Sequence, residues 1–291
     1  MPLNGAIHRY VDLHLHTSWS DGRWSPSQVV EEAAARGLAA ISITDHDVLD
    51  GLAEAAETAA GLGVELLTGV ELTADWVGRT VHVLGYGIDP DSLALRVALE
   101  RGRRLMAEHV ERVLGAVRAA GESLAAADLE KYRARYAAGA SLVLAMVERG
   151  VLRRARNAAA LLRLASQEPR AYTAAEAIAL IHEAGGIASL AHPAKIRRDK
   201  PLLEAADLAP LVAAGLNGLE VWQIVHREPQ RHHYAMVAGE LRLLETGGSD
   251  CHGPRTGRGP RIGSQQVPYG VYERLSGVLL ARRDGSTAAP A

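Results

Sequence analysis

Histidines and carboxylates recur along this chain in short clusters, each following a run of apolar, β-prone residues. The first is Asp12-Leu13-His14-Leu15-His16, with Asp21 shortly after; Thr44-Asp45-His46-Asp47 and Gly69-Val70-Glu71 come next. His82 stands alone, and Ala191-His192-Pro193, Glu220 and Ser249-Asp250-Cys251-His252 complete the set. Two residues apart on an extended segment, side chains point to the same side, so His14 and His16 can chelate one ion. Asp250 and His252 repeat that spacing, which turns Cys251 the other way, as a small buried apolar residue. Imidazole nitrogen mixed with carboxylate oxygen suits zinc, manganese or iron better than calcium. A lone histidine at a strand end is commonly a hydrogen-bonded structural residue; six, with acidic partners, point to a metal centre.

Residues so far apart must be gathered by the fold. Strands are expected at Arg9–Leu13, Ala39–Ile43, Val64–Leu67 and Thr80–Gly85, with helices at Ser25–Arg36 and Val48–Gly61. Short connections between alternating strands and helices are the mark of βαβ units and a parallel sheet. Ser25-Pro26 has the form of an N-cap followed by proline at the first helical position, and Thr173 with Glu176 that of a capping box. From about Asp91 to Gln167 the pattern is helical and free of proline, with arginines clustered between Arg101 and Arg163. This is expected to be a basic helical insertion, 91–167, in a discontinuous domain of residues 8–90 and 168–285, with a disordered tail at 286–291. Further strands are expected at Ile187–Ala191, Gly218–Trp222 and Leu241–Glu245. The count gives roughly seven βα units, enough to close an irregular barrel whose site lies at the C-terminal strand ends.

The 291 residues are 48% apolar, enough for a sizeable core, and the one cysteine excludes an internal disulfide framework. The first residues lack the apolar core of a signal peptide, so the cytoplasm is the expected compartment. No uninterrupted apolar run of about 18 residues suggests a membrane span. A formal charge of -2 gives no reason to expect a stable nucleic-acid partner, and with no phenylalanine a base-stacking platform has little material.

HisXHis, ThrAspHisAsp, GlyValGlu, AlaHisPro and SerAspXHis, in this order and with His82 between, resemble the PHP family, named for polymerase and histidinol phosphatase domains. The resemblance covers about Arg9 to about Pro254. It implies an α/β fold, a distorted (β/α)7 TIM-like barrel, around three divalent metal ions. Carried over by position, the first metal would take His14, His16, Glu71 and Asp250. The second would take Glu71, His82 and His192, with Glu71 bridging, and the third Asp21, His46 and His252. Mn2+ or Zn2+ is expected, with Fe2+ or Mg2+ as alternatives. A hydroxide bridging the first two metals would attack phosphorus while the third draws charge from the phosphate oxygens. Three divalent ions carry about +6, which three carboxylates and a hydroxide reduce to roughly +2, a match for a phosphate dianion. Asp47 would carry a proton to the leaving group, and Asp12 and Asp45 would either orient imidazoles or stabilise turns.

The run His16-Thr17-Ser18-Trp19-Ser20-Asp21-Gly22, the insertion and the C-terminal SerAspXHis are most similar to the family's nucleotide phosphoesterase branch. That branch removes the 3′-phosphate from 3′,5′-bisphosphorylated nucleosides and trims short RNA from the 5′ end. Where those relatives carry an arginine- or histidine-containing run that grips phosphate, this chain has Ala140-Ser141-Leu142-Val143-Leu144-Ala145. Lys195, His226 and Arg197 are the expected substitutes for phosphate binding, and Glu220 would brace a strand end or meet a ribose hydroxyl. The expected partner is a small phosphorylated substrate, a nucleotide first. A phosphatase for histidinol phosphate or a sugar phosphate, a non-catalytic metal-binding module and a C–N hydrolase are the rival assignments. Oligomeric state is not set by the sequence.

Overall fold

Valine, isoleucine, leucine and alanine dominate the short strands because a barrel strand is covered on both faces. In the computed structural model, which describes residues 9–130, 139–167, 169–196, 202–254 and 261–284, these runs form strands that are mostly buried along their length. The order begins β1 (Tyr10–Leu15), α1 (Pro26–Ala35), β2 (Ala40–Ile43), α2 (Leu52–Leu62), β3 (Glu65–Trp76) and β4 (Arg79–Tyr86). Five helices follow: α3 (Leu93–Ala119), α4 (Ala126–Glu130), α5 (Gly139–Glu148), α6 (Val151–Arg154) and α7 (Ala158–Ala165). The chain returns through β5 (Tyr172–Thr173), α8 (Ala174–Glu183), β6 (Ile187–Leu190), α9 (Ala205–Ala213), β7 (Gly218–Gln223), α10 (Glu228–Glu240) and β8 (Leu244–Gly248). It ends in β9 (Val267–Pro268) and α11 (Tyr269–Arg283). The expected N-cap at Ser25 and capping box of Thr173 with Glu176 both form, and Ser25 also makes a capping box with Gln28 that was not expected.

Among the described residues the sheet runs β8-β7-β6-β4-β3-β2-β1-β9, with β5 beside β3. β1, β2 and β3 pair in parallel, as do β6, β7 and β8. The sheet curls until its ends meet: Leu15 bridges Cys251 in parallel, and the His16 amide donates to the Cys251 carbonyl at 3.0 Å. Gly248 permits that approach, since a Cβ there would overlap the backbone nitrogen of His14.

The expected run of parallel βα units fails at β4, which is antiparallel to both β3 and β6. Its cause is local. Val77 and Gly78, with φ of 52° and 75°, make a two-residue turn of the kind that suits strand twist, so the chain folds straight back on itself. β3 is also much longer than expected, because Val70 to Trp76 continues the ladder beyond Gly69. α2 starts at Leu52 rather than Val48, and β8 starts at Leu244 rather than Leu241, which caps α10. β9 and α11 had no expected counterpart; α11 packs Val271, Leu275 and Leu279 into a cluster with Val11, Leu13 and Tyr86.

The helical expectation for 91–167 agrees with α3 through α7 over the described residues. These helices bury a core of their own, including Val113, Val117, Leu142, Met146, Val151 and Leu161. α3 joins the two cores, with Leu95, Ala98 and Leu99 against the barrel and Val113 and Val117 in the insertion. The 286–291 tail lies outside the described residues.

Candidate metal centre

The upper rim of the barrel collects the histidine and carboxylate clusters into one group, buried at its middle and partly exposed at its edge. Glu71 stands at its middle. Its Oε2 lies 3.2 Å from His14 Nε2, 3.2 Å from His16 Nε2 and 3.3 Å from His46 Nδ1. Its Oε1 lies 3.1 Å from both His82 Nδ1 and His192 Nε2. Asp250 Oδ1 is 3.5 Å from His14 Nε2 and 3.3 Å from His16 Nε2. Asp21 Oδ2 is 3.1 Å from His252 Nε2 and 3.9 Å from His46 Nε2. All nine residues expected as metal ligands thus meet in one place.

The reversal of β4 explains how His82 takes part. A parallel strand would deliver a residue to this rim from its C-terminal end, whereas His82 lies near the start of β4, opposite Thr73 of β3. Glu71 and Thr73 share a face of β3, so His82 is a diagonal neighbour of Glu71 on that face. Strained backbone aims three further residues: Asp47, His192 and Asp250 have φ of 49°, 28° and 53°. A non-glycine residue persists in this left-handed region only when its surroundings hold it there.

Around the rim, buried carboxylates accept hydrogen bonds from backbone and side-chain donors. Glu220 accepts from His14 Nδ1 at 2.8 Å and from the His192 amide at 2.6 Å, so it braces two rim residues at once. Asp12 accepts from the amides of Ser249 at 2.8 Å and Gly263 at 2.7 Å, and burial pushes its carboxyl up to about 6. Asp45 accepts from the Thr17 amide at 2.7 Å, the Thr17 hydroxyl at 2.6 Å and the Ser20 hydroxyl. Asp47 Oδ1 accepts from the Thr73 amide at 3.0 Å and the Tyr172 hydroxyl at 3.2 Å. Of these partners, Tyr172 and Gly263 carried no signal in the sequence, since each meets its carboxylate only through the fold.

Burial raises the Glu71 and Asp250 carboxyls, but the imidazoles outweigh it and hold both well below the usual carboxylate range. Burial likewise lowers His14 and His16, and the carboxylates reverse that, raising His14 well above its ordinary value and His16 to about 10. His46 goes the other way, to about 3, because burial prevails there. The group is thus held together by opposite charges, with His14, His16 and Glu71 buried and Asp21 partly open to solvent.

These residues fit metal ions. His16 Nε2 and His46 Nδ1 are buried, within ion-pair distance of carboxylates, yet make no aligned hydrogen bond. Buried ring nitrogens without an aligned hydrogen bond, beside hard oxygen donors, are what a divalent transition metal takes up once they are deprotonated. Donor atoms lie within 4.8 Å of one another in four sets: His16, Asp21, His46 and His252; His14, Glu71 and His192; His14, His16 and Asp250; His46, Glu71 and His82. Glu71 belongs to two of them, and the sets overlap the expected division among metals without reproducing it.

The expected phosphate-binding residues are less uniform. Lys195, at the end of a 3-10 turn (Pro193–Lys195), donates to Asp250 Oδ2 at 2.6 Å and stays 42% exposed, a cation on the open edge of the centre. His226 Nδ1 pairs with the Val221 carbonyl at 2.9 Å and its ring lies against Tyr234, 4.8 Å between centroids. Arg197 lies outside the described residues. In the Ala140–Ala145 run, Leu142 and Ala145 are buried in the core of the insertion, so apolar packing claims those positions. No helix among the described residues is long and apolar enough to cross a membrane.

The PHP domain model matches residues 12–185. A 3′,5′-nucleoside bisphosphate phosphatase of Chromobacterium violaceum is 34% identical over 85% of this chain and 88% of its own length. A 5′-3′ exoribonuclease of Haemophilus influenzae is 31% identical over 84% of this chain and 90% of its own. A phosphoribosyl 1,2-cyclic phosphate 1,2-diphosphodiesterase of Eggerthella lenta is 33% identical over 87% and 97%. Among solved structures, one described as a metal-dependent phosphoesterase from Bifidobacterium adolescentis superposes with a TM-score of 0.75 at 27% identity, over 92% of this chain and 95% of that one. An amidohydrolase from C. violaceum with bound sulfate does so at 0.75 and 29%, over 92% and 96%.

Proposed function

The chain belongs to the PHP domain family and is a metal-dependent phosphoric ester hydrolase; from that premise we propose that it hydrolyses a phosphomonoester at a trinuclear centre, on a 3′,5′-bisphosphorylated nucleoside or short oligonucleotide. The observation that carries the proposal is Glu71, one buried carboxylate in contact with five imidazoles. The ligands are His14, His16, Asp21, His46, Glu71, His82, His192, Asp250 and His252, with Glu71 shared, and the ions are Mn2+ or Zn2+. When bound, such ions supply a water-derived nucleophile near neutral pH and positive charge for phosphate oxygens. The protein's own share is to orient and to move protons. Glu220 fixes the His14 ring with Nε2 toward the centre. Lys195 meets a phosphate oxygen as a point charge, and His226 and Arg197 take part in holding it. Asp47 hands a proton to the leaving oxygen, so Asp47→Ala should slow an alkyl phosphate while sparing 4-nitrophenyl phosphate, whose leaving group needs none.

The nucleotide assignment is supported by relatives named for a nucleoside bisphosphate and for RNA. The barrel of residues 8–90 and 168–285 holds the chemistry, and 91–167 acts as a cap, a division supported by their separate cores. The test is phosphate release by metal-loaded protein from adenosine 3′,5′-bisphosphate, 5′-phosphorylated short RNA, histidinol phosphate, a sugar phosphate and a ribose cyclic phosphate. Preference for the bisphosphate is expected; turnover of the sugar phosphate alone would overturn the nucleotide assignment.

A further inference from the structure

We propose that Tyr172 is a positioning residue through which the long helix α3 sets the place of Asp47; this rests on the role given to Asp47 above. The Tyr172 hydroxyl and the Thr73 amide donate to the same Asp47 oxygen, at 3.2 and 3.0 Å. Both come from one strand pair, since Tyr172 stands opposite Ala74 where β5 joins β3. Asp47 sits in the left-handed region, φ 49°, a conformation its surroundings must hold, and these two donors are among the groups that do so.

α3 reaches Tyr172 from the other side. Arg101 donates to the Ala171 carbonyl at 2.7 Å and its guanidinium lies 5.7 Å from the centre of the Tyr172 ring. The next residue, Gly102, is inside the helix, where glycine weakens helical order. Its lack of a side chain has a local use. A Cβ at 102 would stand 3.1 Å from the Tyr172 hydroxyl, close enough to push that oxygen off its line to Asp47. Tyr172 is also where the chain re-enters the barrel after the insertion. The outgoing helix and the returning strand therefore meet at the residue that holds Asp47, and a shift of α3 is felt at the carboxylate.

The experiment compares Tyr172→Phe, Gly102→Ala, Asp47→Ala and the Tyr172→Phe/Asp47→Ala pair in the metal-loaded full chain. Readouts are bound metal per chain, thermal midpoint, and kcat and KM on adenosine 3′,5′-bisphosphate. Tyr172→Phe and Gly102→Ala should each lower kcat roughly 10-fold with KM and metal content unchanged. Gly102→Ala should do so without lowering the thermal midpoint, since alanine favours the helix. Tyr172→Phe should add nothing once Asp47 is alanine, as two residues acting through one contact do not add. Additive losses, or an impaired Asp47→Ala beside a wild-type Tyr172→Phe, overturn the inference and leave the role of Asp47 standing; a wild-type Asp47→Ala removes both. A crystal structure of Tyr172→Phe supplies an answer independent of substrate: Asp47 should be displaced, and an unmoved Asp47 overturns the inference.

Discussion

The inner part of the barrel rim and the interior of α3–α7 are both buried, yet they are filled in opposite ways. At the rim, His14, His16, Glu71 and Glu220 are buried against one another, and each polar atom depends on a charged or hydrogen-bonding neighbour. In the insertion, Leu142, Met146, Val151 and Leu161 pack by shape alone. Every candidate metal-binding group among the described residues draws on the barrel and none on 91–167. The difference teaches that the histidine and carboxylate rim and the helices α3–α7 stand on separate cores joined by α3, so damage to one should be readable apart from damage to the other.

The sharpest way to break that separation is Glu71→Gln. Removing the charge shared by five imidazoles should cost metal content and lower activity by at least about 10^3-fold, as for residues that act as a unit; metal analysis and phosphate release measure both. Retained metal with retained turnover would mean the rim does not work as one group. Glu220→Gln should be milder. Glutamine has one acceptor oxygen for two donors, His14 Nδ1 and the His192 amide, so metal affinity should fall about 10- to 100-fold with the fold intact. Titration with Mn2+ or Zn2+ reads it, and unchanged affinity would reduce Glu220 to packing.

Next in size is pH. The carboxylates raise His14 well above its ordinary value and His16 to about 10, which favours protonated imidazoles near neutral pH before metal binds. A metal needs the lone pair, so loading must expel protons, and affinity should rise about 10-fold per pH unit for each proton released. Calorimetry in buffers of different ionisation enthalpy measures the release, and none would contradict the charge pattern of the rim. The smallest effect on the centre is expected from Leu142→Ala. It should cost about 2–5 kcal/mol of stability, seen in the thermal transition, while metal affinity stays as it was. A parallel loss of affinity would show that the two cores are coupled more tightly than α3 alone provides.

Much of the rim was legible because ligand chemistry leaves marks that survive any detail of the fold. His14 and His16 must share a face if the segment is extended, and Asp250 and His252 likewise. Direction left no such mark: Thr80-Val81-His82-Val83 alternates in the same way whichever way β4 runs, so its reversal was hidden until the turn at Val77-Gly78 was seen. Partners supplied by distant chain were also invisible, as with Tyr172, a hundred and more residues from Asp47. The departure at Ala140–Ala145 was visible as missing charge, but only burial of Leu142 and Ala145 explains it as packing.

The turn at Val77-Gly78 also bears on how the protein is assembled. Glu71 and His82 lie on one hairpin, so the closure entropy of bringing them together is small, whereas His14 and Asp250 are almost a full chain apart. During synthesis the hairpin can form with Glu71 and His82 in register long before the ribosome has made Asp250. The seam between β1 and the segment after β8, held by the Leu15–Cys251 bridge, can close only near the end. Metal bound at His14, His16 and Asp250 would then act as a clasp across that seam, tying the first strand made to the segment that follows β8, so that loading with metal would be a late step of folding as well as the first step of catalysis.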